Sequence, residues 1–115
     1  MPKEFSRTQR VEKQIRRELA DIIHREINKP QLGMFTISAI KVSPDLKFAR
    51  VYFTMLGGQL TAQQVTDYFN EAAGWLRHHL SQRLTTRVTP TLSFEYDTSI
   101  EYGSRLSALI DSLPK

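Results

Sequence analysis

No cysteine occurs among the 115 residues, so neither a disulfide nor a thiolate metal ligand is available, and nothing calls for an oxidising compartment. No apolar run approaches the roughly 20 residues that a membrane-spanning helix needs. The opening MPKEFSRTQRVEKQIRREL is charged from its third residue and lacks the apolar centre of a signal peptide. The expectation is a soluble, cytoplasmic protein. Glycine and proline are sparse, five of each, and scattered, with neither an internal repeat nor a low-complexity tract. Acidic side chains are also in deficit, twelve against sixteen Lys and Arg, which leaves a net charge of +4 and makes the chain compatible with a polyanionic partner.

Signatures of catalysis are missing as well. The phosphate loop GxxxxGK[ST] is absent, and Gly57–Gly58 lacks the glycine and lysine that would complete it. None of the serines sits in a nucleophile elbow. The histidines are His24, His78 and His79; the adjacent pair diverges by about 100° on a helix and cannot act like the two His of a metal-binding HExxH. Asp45, Asp67, Glu71, Glu95, Asp97 and Glu101 have no metal-ligand spacing. The RNP1 pattern is missing, so stacking on sheet aromatics is not the favoured mode, although Tyr52 is placed to face outward. No enzyme activity, metal, cofactor or small-molecule substrate is expected.

What is present is periodicity. Val11, Ile15, Leu19, Ile22, Ile23 and Ile27 recur at three- and four-residue steps and predict an amphipathic helix over 6–28, with Ser6 as its cap. Arg10, Lys13, Arg17 and His24 fall on the opposite face, while Glu12 intrudes on the apolar side. Pro30 stops the helix. Two runs rich in β-branched and aromatic residues, 35–42 and 48–55, joined by SPDLK, predict a hairpin. Ala49, Val51, Phe53 and Met55 alternate with Arg50, Tyr52 and Thr54, so one sheet face is covered and the other is more polar.

Thr61 and Gln64 form a capping-box pattern that opens a helix over 61–85. Its apolar spacing continues on both sides of Gly74, a residue that costs roughly 1 kcal/mol relative to Ala in a helix interior, so an interruption is expected there. A third strand is predicted over 88–96, with Leu92, Phe94 and Tyr96 on one face, and a short helix over 104–113. Together these make a single α+β domain over 1–115, with helices on one side of a three-stranded sheet. Basic residues gather in two places. Arg7, Arg10, Lys13, Arg16, Arg17 and Arg25 lie on the first helix, and Arg77, His78, His79, Arg83 and Arg87 follow Gly74. The residues alone permit two readings of Ala72, Ala73 and Gly74: close helix packing, or close approach of the backbone to a ligand.

The opening SRTQRVEKQIRREL, the hairpin ISAIKVSPDLKFARVYFT, the AAG of Ala72, Ala73 and Gly74 followed by LRHHL, and the closing LTTRVTPTLSFEYDTSIEYGSRL together resemble the ribosome-binding factor A family over nearly the whole chain. The resemblance implies a type II KH-like fold in the order α-β-β-α-kink-α-β-short α, with an AxG kink in place of the GxxG loop. It implies an RNA-binding ribosome assembly factor rather than an enzyme. Its partners would be the free small ribosomal subunit and its 16S rRNA, whose late maturation and processing it assists near the 5′-terminal helix, in association with cold adaptation. A monomer is expected. Ala72, Ala73 and Gly74 would be the RNA-binding kink. Arg10, Lys13, Arg17, Arg77, His78, Arg83 and Arg87 are inferred contacts from wheel position and proximity to the kink. Some members carry a charged tail beyond the point where this sequence stops, so this sequence is either that of a compact member or that of a shortened chain. The alternative is a protein-interaction module whose basic helix docks an acidic protein partner.

Overall fold

The apolar stripe of the first helix is buried along its length, from Val11 through Ile15, Leu19, Ile22 and Ile23 to Ile27. The structure, a computed structural model, describes residues 3–27, 29–99 and 110, with side chains from residue 7 onward. Helix α1 runs Lys3–Glu26. Ser6 therefore lies inside it rather than capping it, because the residues before Ser6 include Lys and Glu, good helix formers that continue the turn. The helix ends two residues short of the expected 28, with the Ile27 N–H still donating to the Ile23 carbonyl at 2.9 Å. Pro30 then opens a 3-10 turn, Pro30–Leu32.

Strands β1 (Met34–Val42) and β2 (Phe48–Leu56) form the expected hairpin. The turn is built by Asp45, whose Oδ1 accepts from Ser43 Oγ at 2.6 Å and from the Lys47 N–H at 3.1 Å. The Ser43 hydroxyl, and then the Lys47 amide, hold the Asp45 carboxyl below its ordinary pKa. Leu46 takes a left-handed φ of 62°, and burial of its side chain holds it there. One irregularity has no signal in the sequence: the β1–β2 register shifts between Ile37 and Ala39. The bulged Ser38 donates to Asp97 Oδ2 at 2.6 Å, and the Asp97 N–H donates to the Phe53 carbonyl at 2.8 Å, so one aspartate links all three strands.

The Thr61–Gln64 capping box is formed in both directions, at 2.9 and 3.2 Å, and starts helix α2 (Ala62–Glu71). Helix α3 (Ala73–Ser81) follows, then strand β3 (Thr91–Tyr96). The strand begins three residues later than expected. Pro90 has no N–H to give to the ladder, so the ladder opens at Thr91, which donates to the Lys47 carbonyl at 2.8 Å.

The sheet order is β1-β2-β3, with β1 and β2 antiparallel and β2 and β3 parallel, joined through α2 and α3 as a crossover. Helix α1 packs on β1, α2 and α3 pack on β3, and α1 meets α3. All three cover the face carrying Ala49, Val51, Phe53, Leu92 and Phe94, while Arg50 and Glu95 stand exposed on the other. Phe69 lies at the centre of the core, its ring 4.5 Å from Phe35 and 5.1 Å from Phe94. The expected short helix over 104–113 lies outside the described residues except for Ile110, which is helical and exposed.

Candidate nucleic-acid interface

The long helix is broken, but at Ala72 rather than at Gly74. Ala72 has φ −85° and ψ 0°, well away from the ψ near −42° of a regular helix. It still donates to the Tyr68 carbonyl at 3.0 Å, and helical bonding resumes with the Leu76 N–H on the Ala72 carbonyl at 2.9 Å. Between them Ala73, Gly74 and Trp75 form the first turn of α3, whose amides have no carbonyl four residues back within that helix. Buried Phe69 before the break and buried Leu76 after it fix both helices to the core, and the small side chains of Ala72 and Ala73 pack against the core between them.

Gly74 is different. A Cβ built on it meets nothing within 4 Å, and its φ is not in the left-handed region. Close packing thus accounts for the two alanines and not for the glycine, which faces open space. Trp75, Arg77 and His78 are exposed beside it.

Two side chains on this side brace the bend, one against β3 and one against the residues that lead into it. Asn70 Nδ2 donates to the Phe94 carbonyl at 3.1 Å and its Oδ1 accepts from the Phe94 N–H at 2.7 Å. One turn past the bend, Arg77 Nε donates to the Thr89 carbonyl at 3.0 Å. The remainder of the Arg77 side chain is exposed, and Arg77 belongs to none of the ion pairs among the described residues. Arg87 is exposed on the loop between α3 and β3.

The other inferred contacts lie elsewhere. Arg10 and Lys13 line an open groove of about 480 Å³ between α1 and β1, together with Gln9, Glu12, Arg16 and Ile40. A second groove along α1 and β1, about 970 Å³, includes Arg17 and His24. β1 and β3 are the two edges of the sheet, so the first-helix cations stand over one edge and the kink over the other. Glu12, on the apolar side of α1, has a partner there: its Oε2 accepts from the Val42 N–H at 3.1 Å, and Arg16, one turn on, donates to the Ile37 carbonyl at 3.1 Å. This pair of α1 side chains satisfies backbone groups of an edge strand.

Arg83 is placed apart from both groups. Its Nη1 lies 2.6 Å from Asp21 Oδ2 and 3.4 Å from Glu18 Oε2, tying the end of α3 to α1. The hydrogen bond that Arg83 donates to Asp21 raises the Arg83 pKa, and the same bond, followed by the one that Arg25 donates, lowers that of Asp21. Its charge is internally neutralised, which makes it a clamp within the protein. Neither charge nor apolar spacing in the sequence points to Asn70 or Trp75 as part of this surface. Asn70 carries a recognisable signal, a poor helix former just ahead of AAG. Exposure of the single tryptophan has none.

Among the described residues, no group of three or more His, Asp or Glu stands close enough to hold a metal ion, and no helix is long and apolar enough to cross a membrane. A family model described as ribosome-binding factor A matches residues 7–110. A ribosome-binding factor A from Azoarcus sp. (strain BH72) is 46% identical over 111 residues, covering 96% of this chain and 88% of that protein. The crystal structure of ribosome-binding factor A from Thermus thermophilus superimposes with a TM-score of 0.68 at 25% identity, over 77% of this chain and 94% of that one. A Thermus thermophilus ribosome-binding factor A homology model, fitted into a cryo-EM map of its 30S complex, shares the fold at TM-score 0.61 and 24% identity, over 75% of this chain and 90% of that one.

Proposed function

Because the chain belongs to the ribosome-binding factor A family, we infer that it binds free small ribosomal subunits and assists late maturation and processing of 16S rRNA, near its 5′-terminal helix. It acts as a cytoplasmic monomer, by binding and not by catalysis. The observation that carries this reading is the bare backbone at Gly74, which neither packing nor dihedral angle demands, beside the exposed Arg77 and His78. The family resemblance implies that the AxG bend takes the place of the nucleic-acid loop of a KH domain. The neighbour of like fold that was fitted into a 30S complex supports the choice of subunit.

Lys and Arg contacts to phosphate supply affinity through counterion release, and the bend supplies shape. A protein that binds one rRNA conformation better than another shifts the population toward it. Mispaired helices live longer as temperature falls, so such a factor matters most in the cold. The test is gradient sedimentation of the tagged protein with separated small subunits, large subunits and whole ribosomes across a salt series. Selective retention on free small subunits, weakening with salt, is the expected result. Retention on none of them, with capture of an acidic protein from nuclease-treated extract, would replace this reading with a protein-docking one.

A further inference from the structure

The chain has one tryptophan, Trp75, and it is 43% exposed although burial of an indole is among the most favourable available to any side chain. It sits on the first turn of α3, next to Gly74. Its ring centroid is 4.1 Å from that of His79, with an angle of 47° between the planes, so a half-buried imidazole braces one side of the indole. The Trp75 Cα stands on the helix turn that directly follows the bend at Ala72. The surface beside it is open: a Cβ at Gly74 meets nothing within 4 Å. Cationic Arg77, anchored through Nε to the Thr89 carbonyl at 3.0 Å, stands two residues on.

We propose that Trp75, braced by His79, is a stacking platform for one unpaired nucleobase of the RNA that crosses the AAG bend. This rests on the RNA-binding reading above and adds to it a residue and a ligand class. An indole offers its π face to any base, so the contact is tolerant of sequence but demands a base that is not already stacked in a duplex. Gly74 leaves space for the sugar and phosphate of the same nucleotide, and Arg77 places positive charge beside it. The consequence is selectivity for rRNA segments that have not yet paired. That is the differential affinity an assembly factor needs if it is to favour one conformation and leave once pairing is complete.

With a single tryptophan, emission excited at the red edge of the indole absorption, where the four tyrosines do not absorb, reports on this side chain alone. The probes are an eight-nucleotide oligoadenylate RNA carrying a terminal dye for anisotropy, an abasic oligomer of the same length, and heparin, all at low salt. Oligoadenylate should quench the emission in step with the anisotropy change, whereas the abasic oligomer and heparin should bind without quenching. Trp75→Ala should weaken oligoadenylate binding by roughly tenfold and leave the abasic affinity unchanged. Trp75→Phe, which keeps an aromatic face, should retain most of the affinity, and circular dichroism melts establish that both variants fold. Saturation by oligoadenylate with unchanged emission, equal quenching by heparin, or wild-type affinity in Trp75→Ala would each overturn the stacking role. If small subunits still retain the protein in those cases, the assembly-factor reading stands. If neither oligoadenylate nor subunits bind, both fall.

Discussion

Asn70 and Phe94 exchange two hydrogen bonds, side-chain amide to backbone, at 3.1 and 2.7 Å across the junction of α2 and β3. The amide of Asn70 thereby acts as one residue of a missing strand on the edge of the sheet, two positions ahead of the bend. Asn70→Ala leaves the Phe94 N–H and carbonyl without that partner and should lower stability by about 1–3 kcal/mol. Asn70→Asp keeps the acceptor and loses the donor, so it should fall between wild type and alanine at neutral pH. Urea denaturation, with amide exchange at Phe94 as the local readout, measures both.

Gly74→Ala separates the fold from the function. The added methyl meets nothing within 4 Å on a helical backbone, so the variant should be more stable than wild type by about 0.5–1 kcal/mol. Its retention on small subunits should nevertheless fall, because the methyl projects from the proposed contact surface. Thermal melts and sedimentation on one preparation test the two halves together. Unchanged retention would remove Gly74 from the interface.

Gly58→Ala should behave in the opposite way. Gly58 has φ +82°, and a Cβ there would stand 2.7 Å from the Gln31 carbonyl oxygen and the Gly33 nitrogen. The loop after β2 lies directly against the turn before β1, where the Gln59 N–H donates to the Gln31 carbonyl at 2.9 Å. A loss of at least about 1–3 kcal/mol is expected from the backbone conformation alone, read as a lower denaturation midpoint with an unchanged slope.

Asp21 and Arg83 make a pH-dependent tether. The Arg83 hydrogen bond, then that from Arg25, holds the Asp21 carboxyl below its ordinary value of 3.8. A carboxylate whose folded pKa is depressed stabilises the fold above its unfolded pKa and loses that contribution as pH falls through the folded value. Arg83→Ala should therefore be less stable than wild type at pH 7, with the difference shrinking below pH 3.8 and also in high salt. The pair is solvent-accessible, so the effect is small. Arg77→Glu should weaken subunit binding far more than Arg83→Ala does, since Arg83 is already paired with Asp21 and Glu18 on the surface.

Elements with strong local periodicity are legible in the amino-acid sequence. The α1 stripe, the β2 alternation and the Thr61–Gln64 box each depend on residues within one element, where spacing alone decides which side chains share a face. Element ends are less so. The start of α1 turns on the helix formers ahead of Ser6, the break at Ala72 on the buried anchors Phe69 and Leu76 that fix a helix on each side of it, and the late start of β3 on a backbone partner from another element, the Lys47 carbonyl. Of the inferred contacts, Arg77, His78 and Arg87 stand exposed on the α3 side, where the kink lies; Arg10, Lys13 and Arg17 flank α1; Arg83 is tied to Asp21. A helical wheel identifies an outward face, but not the neighbour waiting there.

The order of strands and helices, the stripe that each helix buries and the presence of a weak point in the long helix were determined by the sequence itself, because each follows from local spacing and intrinsic preference. The parallel pairing of β2 with β3, the separation of the two basic surfaces over opposite sheet edges, and the exposure of Trp75 were decided only in three dimensions. Those features depend on side chains distant in sequence, Asn70 with Phe94, Glu12 with Val42, Asp21 with Arg83, and such meetings exist only once the chain has closed on its core.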